Sequence, residues 1–404
     1  MKRFFIGMMV LSACSPVGEP IMEAEVMVEE SDLTPSKSSH RRARPGVLTA
    51  GDIDDVLNLG DYKRYAGQAG KSLDLSPPGV SQSIVMRFRD PNGAAAPGVR
   101  VTLRRQGEDE PFFSGYSGVN GYLLVHPPTY GQSGRATFEL RAFDASGQHA
   151  TSEIVRSGSR SNIELPFQSD WLPDFMDLVF VVDTTGSMDD ELDWLTRDLM
   201  RIVDRAKRVA PSVDIRFGLI VYRDVGDDYV VRNFGFTESA GKMRGWLRRQ
   251  EAHGGGDYPE AADRAMLAAS DLRWRRGRGE RLVFHLADAP PHVQNATRYL
   301  SASRALAREG VQVFGLGASG VAAESEFLMR QAAVLTNGRY LFLTDDSGVG
   351  HAHAEPTISC YRVTALSDLM ARVLASELSG RRVEASDDEV IREVGTYRAG
   401  VCKN

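Results

Sequence analysis

The sequence has little cysteine, no long apolar run and no excess of basic charge, and each shortage closes off a class of protein. Three cysteines in 404 residues cannot build a disulfide-dense small scaffold or an array of thiolate metal sites. The apolar run from Phe4 to Val10 is too short to cross a bilayer as a mature helix. With 48 basic against 54 acidic residues, a net charge of -6 and the two signs mixed along most of the chain, there is no basic face to track phosphates, which excludes nucleic acid as a partner. No Gly-x-Ser-x-Gly elbow, Walker loop or protein-kinase signature set occurs, so a non-enzymatic role is expected. What remains, 42% apolar and 25% charged residues, is ordinary for folded protein, and the length allows two or three domains.

The first residues speak to the compartment. Lys2 and Arg3 precede the apolar run, and Leu11-Ser12-Ala13-Cys14 follows it. That order is a charged n-region, an h-region and a small-residue cleavage site. It also resembles the lipobox of bacterial lipoproteins, which implies a signal over residues 1–13, lipidation at Cys14 and a membrane contact through the lipid. Ser15 stands where an inner-membrane retention signal would have Asp, so the outer membrane is the expected location in the cell envelope. With Cys14 lipidated, Cys360 and Cys402 are an even pair in an oxidising compartment. They form either a disulfide, which the even count favours, or two free thiols in the tail.

Residues 14–50 are rich in Glu, Pro, Ser and Arg without a sustained period, which predicts a tether behind Cys14; residues 51–77 are expected to be a linker. Between 78 and 168 the pattern changes. Ile84, Met86 and Phe88 alternate with Val85, Arg87 and Arg89 before the turn Asp90-Pro91-Asn92-Gly93, and Val99, Val101 and Leu103 alternate with polar residues. Short alternating segments between turns predict a small antiparallel β-sandwich. This stretch resembles the carboxypeptidase-regulatory-like or immunoglobulin-like modules of envelope proteins; it offers no catalytic constellation, and a spacer role is expected.

From 174 to 380 apolar runs alternate with helical periodicity. Leu178 to Val182 is continuously apolar, as a strand covered on both faces requires. Asp189 is placed to cap a helix whose stripe is Leu192, Leu195, Leu199 and Ile202. Strands are predicted at 216–222, 282–287, 311–316 and 340–343, and helices near 239–251, 260–272, 295–309, 323–335 and 365–379. The alternation predicts an α/β fold, a doubly wound, Rossmann-like, mainly parallel sheet. Residues 381–404 read as a C-terminal tail.

Ligands of such sheets bind beyond the carboxyl ends of the strands, near the switch point. Three oxygen-rich clusters fall there: Asp183-Thr-Thr-Gly-Ser-Met188, Gly254-Gly-Gly-Asp-Tyr-Pro-Glu260 and Asp288-Ala-Pro-Pro-His292. Carboxylates and hydroxyls suit a hard cation, Mg²⁺ first and Ca²⁺ or Mn²⁺ next. Asp183-x-Thr185-x-Ser187 resembles the DxSxS element of the metal-ion-dependent adhesion site in von Willebrand factor A domains. Asp288 matches the later aspartate of that site, whereas Asp257 stands where the family has threonine. Together with Tyr222-Arg-Asp224, Pro259-Glu260 and Ala287-Asp-Ala-Pro-Pro, these motifs resemble the bacterial and alpha-kinase-associated branch of the family. The resemblance implies a metal set of Asp183, Thr185, Ser187, Asp257 and Asp288, and a protein partner at the metal face. Three carboxylates would overcompensate a dication, so either Asp257 acts through water or the site depends less on a partner's carboxylate.

Each residue also has a plainer role. Asp183 and Ser187 can end a strand and cap a helix, Asp257 can cap the next helix and Asp288 can open a turn; their joint placement favours the metal. Arg223 and Asp224 are expected to pair structurally, and Glu260 to be a first-turn helix acid rather than a ligand. His351 and His353 near Glu355 lack the partner cluster a zinc site needs. The expected function is an envelope lipoprotein binding protein, as adhesin or scaffold, through a metal-dependent domain. A metal-assisted hydrolase, or a structural lipoprotein with a merely stabilising metal, are the alternatives.

Overall fold

The computed structural model describes residues 47–75, 80–169, 171–256, 258–347 and 355–403. Cys14, Asp257, His351 and His353 lie outside them, so their expected roles are not placed by the structure. The chain opens with strand β1 (Thr49–Ile53) and helix α1 (Leu59–Ser72). This corrects the reading of residues up to 50 as tether and 51–77 as linker. The strand escapes a sequence reading because Thr-Ala-Gly-Asp-Ile shows neither an apolar run nor alternation, yet all five residues are buried. Its polar atoms are satisfied internally: Thr49 Oγ1 donates to Thr344 O at 2.9 Å and accepts from Thr344 Oγ1 at 2.9 Å. Gly51 lies against the Phe342 ring, where a Cβ would come within 2.6 Å of a ring carbon.

Two small sheets come next. Strands β2 (Ile84–Arg89), β3 (Arg100–Arg105), β4 (Phe113–Tyr116), β5 (Tyr122–Val125), β6 (Thr137–Phe143), β7 (His149–Arg156) and β8 (Arg160–Glu164) form a three-stranded sheet in the order β5-β2-β8 and a four-stranded one in the order β4-β3-β6-β7. The predicted alternation holds: Ile84, Met86 and Phe88 share a buried cluster with Val101, Leu103, Phe138 and Leu140. The β2–β8 pairing is parallel, so this region is not wholly antiparallel. Nor is it separate from the main, nine-stranded sheet of the chain. Val85 and Leu124 pack into the core of that sheet, and the Asn337 side chain accepts from Leu124 N at 2.8 Å and donates to Leu124 O at 2.9 Å.

The remaining chain runs β9 (Phe175–Asp183), α2 (Asp189–Lys207), β10 (Asp214–Tyr222), β11 (Val231–Thr237), α3 (Ala240–Leu247), α4 (Ala262–Ser270), β12 (Gly279–Ala287), α5 (Ala296–Arg308), β13 (Gln312–Gly317), α6 (Ala323–Thr336), β14 (Tyr340–Thr344), β15 (Tyr361–Ala365), α7 (Leu366–Ser379), β16 (Arg392–Val394), β17 (Thr396–Arg398) and β18 (Val401–Lys403). The sheet order is β11-β10-β9-β12-β13-β14-β1-β15-β16. Strands β10, β9, β12, β13 and β14 are parallel, which is the doubly wound order with its reversal at β9 and β12. The sheet is nonetheless mixed: β11 is antiparallel at one edge, and β1 runs antiparallel to both neighbours.

Strand β9 shows why this sheet holds. All nine of its residues are buried; Met176, Leu178, Phe180 and Val182 face the cluster holding α2, α3 and α7, while Val179 and Val181 face that of α1, α4, α5 and α6. Burying a large aliphatic or aromatic side chain contributes about 1.5–3 kcal/mol, so a strand apolar on both faces settles only between two helical layers. Residues 381–404, expected to be a tail, are tied into this body. Strand β16 pairs with β15, β17 and β18 form a hairpin, and Cys360 and Cys402 form a disulfide. Arg382 is gripped by Asp52 and Asp54 at 3.1 and 3.2 Å.

Candidate metal centre

Asp183 is the last residue of β9, and Asp288 directly follows β12. These are adjacent parallel strands, so the two carboxylates emerge side by side at the switch point. Asp183 is fully buried and Asp288 is 6% exposed. Asp183 Oδ1 accepts from Thr185 N at 2.9 Å and from Thr185 Oγ1 at 2.7 Å, folding the loop back over the strand end. Ser187 is exposed on the same loop. Asp189 is the first residue of α2 and makes no side-chain cap, which corrects its expected capping role. Two residues on, the buried Glu191 accepts from Ser319 N at 2.9 Å and Ser319 Oγ at 2.7 Å, tying α2 to the loop after β13.

The glycine-rich loop is laid against this turn. Gly186 N donates to Gly254 O at 3.2 Å, and His253 N donates to Thr184 O at 3.0 Å. Gly254 and Gly255 have φ of +87° and +77°, and a Cβ on Gly255 would sit 2.9 Å from Glu260 Oε1 and 3.0 Å from Thr185 Cβ. Only glycine accepts both that backbone and that approach. Glu260, 3% exposed, is thereby pressed into the site. It precedes α4, so it is not the first-turn helix acid it was expected to be; it is the functional candidate that sequence reasoning set aside. Its position after Pro259 in the glycine-rich motif was the available signal.

Arg223 and Asp224 do not pair. Arg223 donates to Thr184 O at 3.2 Å and Glu251 O at 2.8 Å, while Asp224 bonds His292 Nε2 at 2.9 Å. The reason is direction: successive side chains leaving a strand point to opposite sides. Beneath the carboxylates, His285 is bridged by Tyr222 OH and Tyr299 OH, both at 3.0 Å. Burial pushes its imidazole down to about 3, so it is a neutral strut.

The electrostatics are those of a site short of positive charge. Asp183 Oδ2, Asp288 Oδ1 and Glu260 Oε2 are buried without a hydrogen-bond partner. Burial, reinforced by Asp288, pushes the Asp183 carboxyl up to about 7. Burial and then Asp183, Asp224, Asp227 and Asp288 push Glu260 up to about 9. Orphaned buried carboxylate oxygens are costly unless a cation or proton meets them. Among the described residues no three His, Cys, Asp or Glu side chains converge tightly enough to hold a metal alone. A cation here would need the hydroxyls of Thr185 and Ser187 and waters as well, the donor set that suits Mg²⁺.

Residues 177–337 match the von Willebrand factor A domain family. The chain is 33% identical over 134 residues to the alpha-protein kinase vwkA of Dictyostelium discoideum, covering 32% of this chain and 21% of that protein. It is 32% identical over 123 residues to a putative ariadne-like RING finger protein of Acanthamoeba polyphaga mimivirus, covering 30% and 12%. The chain thus spans about a fifth or less of these relatives. Among solved structures, conserved hypothetical protein BatB from Bacteroides thetaiotaomicron is similar at 17% identity and TM-score 0.34, over 44% of this chain and 91% of that one. Proximal thread matrix protein 1 of the mussel byssus is similar at 18% identity and TM-score 0.32, over 41% and 40%.

Proposed function

With residues 177–337 forming a von Willebrand factor A domain, we propose that the protein is a cell-envelope lipoprotein that captures a protein partner through a divalent cation at the carboxyl edge of its sheet. The observation that supports this best is the trio of buried, unpartnered carboxylate oxygens on Asp183, Glu260 and Asp288, joined by Thr185 on the same turn. Asp183, Thr185, Ser187 and Asp288 would hold the ion, Mg²⁺ before Ca²⁺ or Mn²⁺, with Asp257 acting directly or through water and Glu260 facing it from the buried side. Such an ion would supply an electrophilic point for an oxygen donor of the partner. The chain's own groups bury one side of the site and fix the turn by the Thr185 bonds. In this reading Cys14 carries the lipid, the outer membrane is the site of anchoring, and residues 78–168 are an immunoglobulin-like or carboxypeptidase-regulatory-like module. The domain is a binder and not an enzyme.

Affinity capture from envelope extracts tests it, with and without chelator and with Asp183→Ala. Partners lost under both conditions are the expected result; partners retained by the variant refute metal-dependent capture. One observation favours a second reading, a metal-assisted hydrolase: His292, held by Asp224, follows Asp288 on its loop and could serve as a base. Phosphoester or peptide hydrolysis abolished by both Asp183→Ala and His292→Ala would establish it instead.

A further inference from the structure

At the opposite end of the main sheet a cavity of about 720 Å³ opens between its amino edge and the two small sheets. That volume is in the range of small-molecule sites, which favour module boundaries. Its floor carries an uncommon arrangement. Glu280, near the start of β12, and Glu377, on α7, are bridged by one amide, with Gln312 Nε2 donating to Glu280 Oε2 at 3.0 Å and to Glu377 Oε2 at 3.1 Å. Both amide hydrogens are then engaged. Arg339 pairs with Glu377 Oε1 at 3.5 Å, whereas Glu280 accepts from Gln312 alone among the described side chains. Glu377 thus has an ion-pair partner in Arg339, whereas Glu280 has Arg281 near it but no cation in ion-pair contact among the described residues, which leaves one carboxylate undercompensated. Burial, with Glu377 next to it, pushes Glu280 up to about 8, consistent with that deficit.

Arginines line the cavity as well, Arg281, Arg339 and Arg382 among the glutamates and two more that are exposed. Arg276 and Arg308 line the mouth and are exposed; Arg308 donates to Thr129 O at 3.1 Å, which leaves most of its fork available. Tyr116 and Tyr122 of the small sheets also line the cavity, with ring faces suited to a methylene chain.

We propose that this seam binds a small dipolar molecule, a primary amine at one end and a carboxylate at the other, as in an amino acid or short peptide. The ammonium group sits on Glu280 and Glu377, and the carboxylate reaches Arg276 and Arg308. The small sheets are then half of a binding site and not only a spacer. The inference is independent of the cation site.

Calorimetry on the full chain with 6-aminohexanoate, hexylamine and hexanoate tests it. Saturable binding is expected for 6-aminohexanoate at millimolar concentration, weaker for hexylamine and weakest for hexanoate. Glu280→Gln, which keeps the shape and removes the charge, should weaken 6-aminohexanoate at least about tenfold, as loss of a charged hydrogen bond does; Glu377→Gln should do the same. Arg276→Gln should bring its affinity towards that of hexylamine, and Asp183→Ala should leave it unchanged. Absence of binding by 6-aminohexanoate, hexanoate binding as tightly as 6-aminohexanoate, or an affinity unaltered by both glutamine variants overturns the proposal.

Discussion

Cation binding at the carboxyl edge should be strongly coupled to pH, because the acids that would meet the ion hold protons without it. The Asp183 carboxyl lies at about 7 against its ordinary 3.8, and Glu260 at about 9 against 4.5. Both are raised, so the folded metal-free chain keeps protons that the unfolded chain sheds. The contribution of these two groups to stability is therefore full below about pH 4 and is lost as pH rises through about 7 and then about 9. For Asp183, which is fully buried, the ionised form is penalised by about 4 kcal/mol at 1.36 kcal/mol per pH unit. A dication that draws both carboxylates into the ionised form must expel their protons. That is about two near pH 6 and about one near pH 8, by the fraction still protonated at each pH. Integrated over the interval, apparent affinity should rise on the order of a thousandfold between pH 6 and 8. Titrating Mg²⁺ calorimetrically at pH 6, 7 and 8, each in two buffers of different ionisation enthalpy, counts the protons directly. In parallel, the melting temperature of chelated protein should fall across this range and recover with Mg²⁺. An affinity independent of pH, with no proton release, would refute the view that Asp183 and Glu260 face the ion.

Other perturbations separate the parts of the molecule. Asp183→Ala should weaken Mg²⁺ at least about a hundredfold, the loss of a charge-assisted contact made at close range. Asp257→Ala should weaken it by less than about tenfold if that carboxylate works through water; equal losses in the two titrations would place Asp257 in direct contact. Arg330 is 2% exposed on its side chain and held by Asp55 through two bonds of 2.8 Å and by Glu326 at 2.9 Å, so Asp55→Ala should leave a buried guanidinium with Glu326 alone and destabilise by about 3 kcal/mol in chemical denaturation. The Cys360–Cys402 bridge closes a separation of 42 residues. Cys360→Ser should lower unfolding free energy by about 4 kcal/mol on the chain-entropy relation, with wild type in reductant showing the same loss.

How far these features could be read beforehand depended on whether local chemistry and tertiary role coincided. The parallel strands announced themselves because a strand buried on both faces must be apolar throughout, as in Leu178 to Val182. The stripe Leu192, Leu195, Leu199, Ile202 did so because a helix has one buried side, and all four are buried. Strand β1 was illegible because its burial is supported by residues near 340–344 and 364–365 in sequence, not by its own composition. The C-terminal segment reads as a tail for the same reason: the partners that hold Arg382 into the body, Asp52 and Asp54, come from the far end of the chain. The family motif named Asp183, Thr185 and Asp288, which the fold brings to adjacent strand ends. It includes Glu260 after Pro259 without giving it a role, and the inward position of Glu260 follows from its approach to Gly255, a residue with no side chain to leave a pattern.

The cation site and the seam cavity share one strand, which makes their independence a sharp test. Glu280 lies near the start of β12 and Asp288 directly after its end, about 26 Å apart at 3.3 Å per residue. Coupling over that distance requires an element with two alternative arrangements. Strand β12 offers none: it is paired along its length to β9 and β13, and Leu282, Val283, Phe284, Leu286 and Ala287 are all fully buried between two helical layers. Close-packed interiors of this kind do not slide by degrees. Separated perturbations should therefore add, as they do for sites beyond about 10 Å without shared partners. Saturating 6-aminohexanoate should leave the Mg²⁺ affinity within about twofold, and Glu280→Gln combined with Asp183→Ala should show the sum of the two single stability changes to within about 0.5 kcal/mol. A larger interaction energy would mean that β12 moves as a unit, and that the seam cavity reports to the metal edge.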